Sequence, residues 1–490
     1  MATSDLKQKA AAGMAWTAVQ KYSTMIIQFI SGIILARLLT PHDYGCIGML
    51  SIFMALAETF IDGGFGSALI QKKNPTQQDY STIFFWNLGM SAILYAVLFF
   101  SAPAIARFYD ISLLCPVLRV QALVLFIYAF NLVQRNQLRK KLNFKLLSII
   151  TVTTSLISLG VTIFMAYKGF GVWALVAQNL ISAAIPAIVF WFYVRWRPIW
   201  TFSWKSFKEL FSFGGFMFLT QLLNTFANRI GGLLIGKKYN SVTMGYYSKA
   251  MNTENLASQT ISSIMNQVTY PLYAQVQDDK ETMVNMIKRL SVTISYITVP
   301  LMFILLLTAR PIFVLLYSDK WLPSVPYFQV ICLAGLASCI GGVNTQPIAA
   351  IGKSRIMFRW TVIKRTVGIS IVILAMSLWG MKGLLGAVVF TNWFSLWVNQ
   401  GLVSKYIGYG FVRQWLDLLP VYLVATIAGL ASWGVGYLFC LDMYLDGILK
   451  LCVFLMVFLG WSLIFKPEAY TYTLSIIPDK FKLGGKKHNC

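Results

Sequence analysis

The 490 residues are 57% hydrophobic and only 12% charged, with a mean hydropathy of +0.66. Soluble globular domains run at about 45–50% apolar and about 25% charged, so this composition excludes a soluble multidomain enzyme, a disordered chain and a nucleic-acid-binding protein. Lys and Arg outnumber Asp and Glu by 41 to 17, a net charge of +24; in so apolar a chain that excess is read by position, because a membrane sorts positive charge to one side.

The opening MATSDLKQKAAAGMAWTAV lacks the basic, apolar, small-residue order of a cleaved signal and reads as a short amphipathic lead into a first span. Apolar windows of about 20 residues then predict an all-α polytopic membrane protein with about fourteen transmembrane helices. They lie near 12–36, 44–68, 81–104, 116–136, 146–167, 171–194, 211–236, 245–273, 287–309, 326–351, 359–380, 383–405, 415–439 and 444–465. The first, second, seventh and eighth are long and polar. Since polar groups are costly in hydrocarbon, such helices face protein or water, which makes them the candidate lining of an internal cavity.

Loop charges set the orientation. With the N-terminus placed in the cytoplasm and loops assigned alternately, about 26 of the 41 basic residues fall inside, among them Lys72, Arg135, Arg139, Lys140, Arg195 and Lys208. About eight, such as Arg37, Lys168, Lys237 and Lys320, fall outside. This positive-inside bias puts both termini in the cytoplasm and requires an even number of spans.

The chain also repeats itself. GIILARLLTPHDYG (32–45) aligns with GLLIGKKYNSVTMG (232–245) at an offset of 200, and the segment from Pro116 aligns with that from Pro326. Spans 1–6 and 7–12 therefore read as two parallel six-helix lobes, 1–194 and 211–405, an arrangement suited to alternating access. RWRPIWTFSWKSFKEL (195–210) interleaves tryptophan with basic residues and reads as a cytoplasmic linker in the headgroup layer. Spans 13 and 14 (406–466) fall outside the repeat, and a basic cytoplasmic tail (467–490) follows.

Ionisable residues inside spans cost about 2.5–3.5 kcal/mol each at the bilayer centre, so each one is a functional candidate. Lys21, Arg229 and Lys249 are the candidate substrate-binding cations of a hydrated cavity suited to an anionic polar substrate. Glu58 and Glu254 either balance a neighbouring charge or titrate in an ion-coupled cycle. Asp62 lies beside Gly63 and Gly64 in FIDGGFGSALIQ, and the three read as a gate or hinge. The seven cysteines show no ligand spacing and read as small buried hydrophobes. Two histidines exclude a multi-histidine metal site, and neither a cofactor nor a catalytic constellation is expected.

The ordered motifs ARLLTPHDYGCIGM, FIDGGFGSALIQKK, LVQRNQLRKKLNFKLLS, YPLYAQVQDDKE and SDKWLPSVPYFQV resemble the polysaccharide transporter family of the MOP flippase superfamily. The closest resemblance is to Wzx-type flippases of O-antigen, colanic-acid and teichuronic-acid lipid-linked oligosaccharides, over roughly residues 10–410. It implies a V-shaped two-lobe bundle that moves an undecaprenyl-diphosphate-linked repeat unit from the inner to the outer leaflet of the bacterial cytoplasmic membrane. It also implies that cavity cations meet the diphosphate or acidic sugars, a role matched by position to Lys21, Arg229 and Lys249. A polysaccharide polymerase and chain-length proteins are the implied partners. The extra pair of spans departs from the family's common twelve. A MATE-like ion-coupled exporter of small molecules is the alternative within the superfamily; a membrane polymerase or glycosyltransferase is the alternative from another class.

Overall fold

The computed structural model describes residues 2–276, 279–439 and 441–476, and within them every regular element is helical. The chain forms two compact units, residues 1–248 and 249–490.

The first unit contains α1 (Ala2–Leu38), α2 (Pro41–Asp62), α3 (Phe65–Gln71), α4 (Gln77–Phe108), α5 (Leu114–Gln121), α6 (Val124–Lys140), α7 (Phe144–Tyr167), α8 (Val172–Tyr193) and α9 (Trp204–Lys238), and then the start of α10 (Ser241–Gln275). The helix starts are written locally. Thr40 and Thr76 each close a capping box with an acid three residues on, Asp43 and Asp79, and Pro41 occupies the first turn of α2, where its missing N–H costs nothing. Between α2 and α3 the chain turns through Gly63 and Gly64, at φ +51° and +75°, backbone that residues with a Cβ rarely adopt.

Close helix approach in this unit depends on glycine. A Cβ on Gly45 would lie 1.7 Å from the Ser241 carbonyl oxygen, and one on Gly245 would lie 1.9 Å from that of Pro41. The first turns of α2 and α10 thus exchange the same contact, since Gly45 and Gly245 stand 200 positions apart and so do Pro41 and Ser241, and His42 Nδ1 is hydrogen-bonded to the Ser241 hydroxyl at 2.6 Å. At the other end of α2, a Cβ on Gly64 would lie 2.2 Å from the Gly214 carbonyl oxygen of α9. Nearby, Lys72 bridges Asp79 and Glu209 at 3.0 Å each. Burial opposes the Lys72 charge, but its hydrogen bonds to the two carboxylates outweigh that and hold the ammonium above its ordinary pKa.

The second unit continues α10 and adds α11 (Lys280–Leu307), α12 (Ala309–Tyr317), α13 (Val325–Ala350), α14 (Ser354–Ile407), α15 (Phe411–Phe439), α16 (Met443–Phe465) and α17 (Glu468–Ile476). Gly380, at φ +59°, divides α14 into two helices. The core here is α11, whose buried Ser295 and Thr298 return their hydroxyls to the carbonyls of Ser291 and Ile294. The last helices are tied to it: Tyr296 donates to Ser462 at 2.7 Å, and Lys288 bridges Asp417 at 3.3 Å and Glu468 at 2.8 Å. Tyr409 donates to Asp417 at 2.5 Å. Burial and that carboxylate push the Tyr409 hydroxyl far above its usual pKa.

Every sequence window expected to span a membrane lies, to within one residue at either end, in a helix or a pair of consecutive helices. Among the described residues, eleven helical stretches are long and apolar enough to cross a bilayer, or twelve when the bent pair Trp204–Ser212 and Gly214–Lys238 is taken as one span. The stretch Arg355–Ile407 is one of these and contains the Gly380 break. The polar α10 is not among them.

Candidate functional site

A cavity of about 690 Å³ opens within the first unit, walled by α1, α2, α6, α7, α8 and α9, with one residue of α5. Its volume is in the range that holds a small organic ligand. Three of the residues singled out by sequence meet there: Lys21 from α1, Glu58 from α2 and Arg229 from α9 all line it. Arg229 stands close enough for its charge to act on Glu58.

Local structure explains how these side chains come to face a common space. α1 packs along α7, where the Ser148 hydroxyl oxygen lies 2.8 Å from the Trp16 carbonyl oxygen and 3.3 Å from Gln20 Oε1. Gln20 and Lys21 thereby turn toward the cavity. α2 packs along α9, with the Thr59 and Thr225 hydroxyls 3.2 Å apart and Phe60 edge-on to Phe218 at 5.3 Å. That pairing brings Glu58 and Arg229 into one wall region. Ser51, Thr151, Asn179 and Ser182 add neutral polar surface.

Two further cations line the cavity, Arg135 and Arg139 of α6. Counting loop charges assigns both to the cytoplasmic face, because Lys140 and Lys141 follow directly. The signal that separates them from those lysines is their spacing of four, which puts both on the helix face that also carries Tyr128 and Asn131. The lining thus holds four basic side chains, Lys21, Arg135, Arg139 and Arg229, against the single acid Glu58. Gln121 also lines it; the side chain is 5% exposed and its Oε1 has no hydrogen-bond partner.

Asp62 is outside this lining. Its carboxylate accepts a hydrogen bond from the Gly64 N–H and lies within electrostatic reach of Arg139 and Arg135. Gly63 and Gly64 form the left-handed turn described above, so the three residues occupy the joint between α2 and α3.

Lys249 and Glu254 lie in the second unit and are not part of this cavity's lining. Lys249 is 4% exposed, with its ammonium 3.7 Å from the Tyr317 ring centroid and 5.6 Å from that of Trp321. Such a cation–π arrangement holds a desolvated charge in place. Glu254 is also buried; a Cβ on Gly335 would approach its Oε1 to 2.7 Å, so that glycine makes room for the carboxylate. Lys364 donates to Asn399 Oδ1 at 2.5 Å. Among the described residues no group of three or more His, Cys, Asp or Glu side chains could hold a metal ion.

The chain resembles known membrane proteins in sequence and in fold. It is 25% identical over 354 residues to the teichuronic acid biosynthesis protein TuaB of Bacillus subtilis, covering 71% of this chain and 72% of that protein. It is 23% identical over 423 residues to the lipopolysaccharide biosynthesis protein WzxC of Escherichia coli, covering 85% and 86%. Among solved structures, the lipid II flippase MurJ in an inward closed conformation superposes with a TM-score of 0.70 at 14% identity, covering 92% of this chain and 98% of that one. At that identity the superposition establishes the fold. Residues 34–326 match the family described as polysaccharide biosynthesis protein, and the chain belongs to that family.

Proposed function

We propose that this protein is a flippase that moves a lipid-linked oligosaccharide, carried on undecaprenyl diphosphate, from the inner to the outer leaflet of the bacterial cytoplasmic membrane. The observation that carries the reading is the cavity lined by four basic side chains and one acid. A net positive, polar space within the bilayer suits a diphosphate and sugar hydroxyls, while the polyprenyl tail stays in lipid. The arrangement avoids burying two phosphates and a sugar in hydrocarbon. A cationic drug, as a MATE-like exporter would take, calls for the opposite charge. The family and the relatives make a transporter, rather than an enzyme, the reading that fits.

In this reading Lys21 and Arg229 meet the diphosphate, and Glu58 balances Arg229 or carries a coupling proton. Lys249 and Glu254 act in the second unit, and Asp62 with Gly63 and Gly64 forms a gate. The chain crosses the membrane fourteen times with both termini in the cytoplasm. Its two repeats, 1–194 and 211–405, joined by 195–210, move as lobes to alternate access, with 406–466 and the tail appended.

The test is export. Lys21→Ala and Arg229→Ala are expected to abolish surface glycan, or lipid-linked oligosaccharide flipping in proteoliposomes, with the protein at its normal level in the membrane. Normal flipping in both variants would overturn the assignment of the cavity.

A further inference from the structure

The segment that joins α8 to α9 is a clamped strap. Its main chain is held by the start of α4: the Ile199 N–H donates to the Ser81 hydroxyl at 3.0 Å and the Ser203 N–H to the Thr82 hydroxyl at 3.1 Å, and both hydroxyl residues are fully buried. The Gln77 amide donates to the Arg197 carbonyl at 2.6 Å, and the Trp200 ring stacks on Phe85 at 5.2 Å. Inward, Trp196, Phe207 and Leu210 join a core with Phe65 and Phe84. Outward, the strap presents Ile199, Trp200 and Trp204, which are 42%, 93% and 63% exposed, beside exposed Arg195, Lys205 and Lys208. Among the described residues no hydrogen bond, ion pair or ring contact occupies these three cations. The acids of this end, Asp79 and Glu209, are both taken by Lys72.

α8 ends at Tyr193 after 22 residues, a length that matches the hydrocarbon core, so the strap that follows lies at headgroup depth. Tryptophan prefers that layer, and basic side chains beside it meet the phosphates of anionic lipids. A display already fixed by α4 binds without the ordering cost that a loose loop would carry. We propose that Arg195, Lys205 and Lys208, with Trp200 and Trp204, form a binding surface for the headgroups of anionic phospholipids, a ligand class distinct from the transported cargo. The strap leads into Trp204–Ser212, which meets the rest of α9 at a bend of 58°, and α9 carries Arg229 into the cavity wall. Bound lipid therefore fixes the short arm of that helix.

The full-length protein in detergent is titrated with phosphatidylglycerol and with phosphatidylcholine, and bound lipid is counted by native mass spectrometry. Wild type should bind phosphatidylglycerol about fivefold more tightly than phosphatidylcholine, or better. The R195Q/K205Q/K208Q variant should bind the two lipids within about twofold of each other. R355Q/R359Q/R413Q removes three other exposed cations that the loop count assigns to the same membrane face, and it should keep the wild-type ratio. If the strap triple variant does not assemble, Lys205→Gln and Lys208→Gln singly should each lower the ratio by about twofold. Equal loss in both triple variants would reduce the preference to net charge and overturn the proposal. A wild-type ratio without the strap cations would leave them only a part in setting topology, and would overturn it equally, as would a wild type that does not distinguish the lipids.

Discussion

Lys21 and Lys249 are the same residue type with opposite surroundings. Lys21 is half-buried and lines the cavity with its ammonium available to a ligand. Lys249 is enclosed against Tyr317 and Trp321. A desolvated cation–π contact contributes about 2 kcal/mol, so Lys249→Ala is expected to lower the thermal midpoint of the detergent-purified protein by several degrees. Lys21→Ala should leave the midpoint where it was. The measurement is the melting of the size-exclusion peak for the two variants side by side; an unchanged midpoint for Lys249→Ala, together with lost export, would support the expected substrate-binding role of Lys249 over a structural one. The sequence places both residues in windows expected to span a membrane, although α10, which carries Lys249, is not among the stretches apolar enough to cross a bilayer. It does not show which is caged, since Tyr317 and Trp321 are more than sixty positions from Lys249. Arg135 and Arg139 fail in the other direction: adjacency to Lys140 and Lys141 disguises cavity residues as loop charges.

At the scale of elements, backbone approach decides more than side-chain size. The facing turns of α2 and α10 and the crossing of α2 over α9 bring main chain onto main chain, where no rotamer can yield. Overpacking a well-packed site costs about 1–3 kcal/mol, and more where backbone must move. Gly45→Ala and Gly245→Ala are therefore each expected to reduce folded, monodisperse protein sharply, to a similar degree because their contacts are reciprocal. Gly64→Ala adds positive-φ strain to its overlap with Gly214. Gly215→Ala is the control on the same stretch of α9, since a Cβ there meets only the Phe211 ring at 3.5 Å. Fluorescence size-exclusion of the four variants reads this directly, and wild-type yield from Gly64→Ala would mean that α2 and α9 separate readily at that crossing. Element existence is legible in the sequence, and so is the break at Gly380, where the window 359–380 ends on glycine; Gly63–Gly64 is legible only as a hinge, because the window 44–68 runs across it. The bend in α9 falls beside Gly214 and Gly215, and the window 211–236 runs across it, so it is not read as a break in the sequence.

For the molecule as a whole, the +24 charge is a statement about orientation, and one helix is enough to check it. α8 runs from Val172 to Tyr193; its 22 residues at about 1.5 Å each reach about 33 Å, the thickness of the hydrocarbon core. Lys168 lies just before it and Lys208 near the end of the tryptophan-rich segment that follows, and both are exposed. If α8 crosses, the two lysines are on opposite sides, and the excess of basic residues assigns Lys208, with Arg195, Arg197 and Lys205, to the cytoplasm. With the native cysteines replaced, Lys168→Cys should react with a membrane-impermeant maleimide in intact cells, whereas Lys208→Cys should react only after permeabilisation. The reverse pattern would invert the topology and direct the cavity's substrate from the wrong leaflet. Labelling of both in intact cells would show that α8 does not span, and every alternate loop assignment after it would change sign.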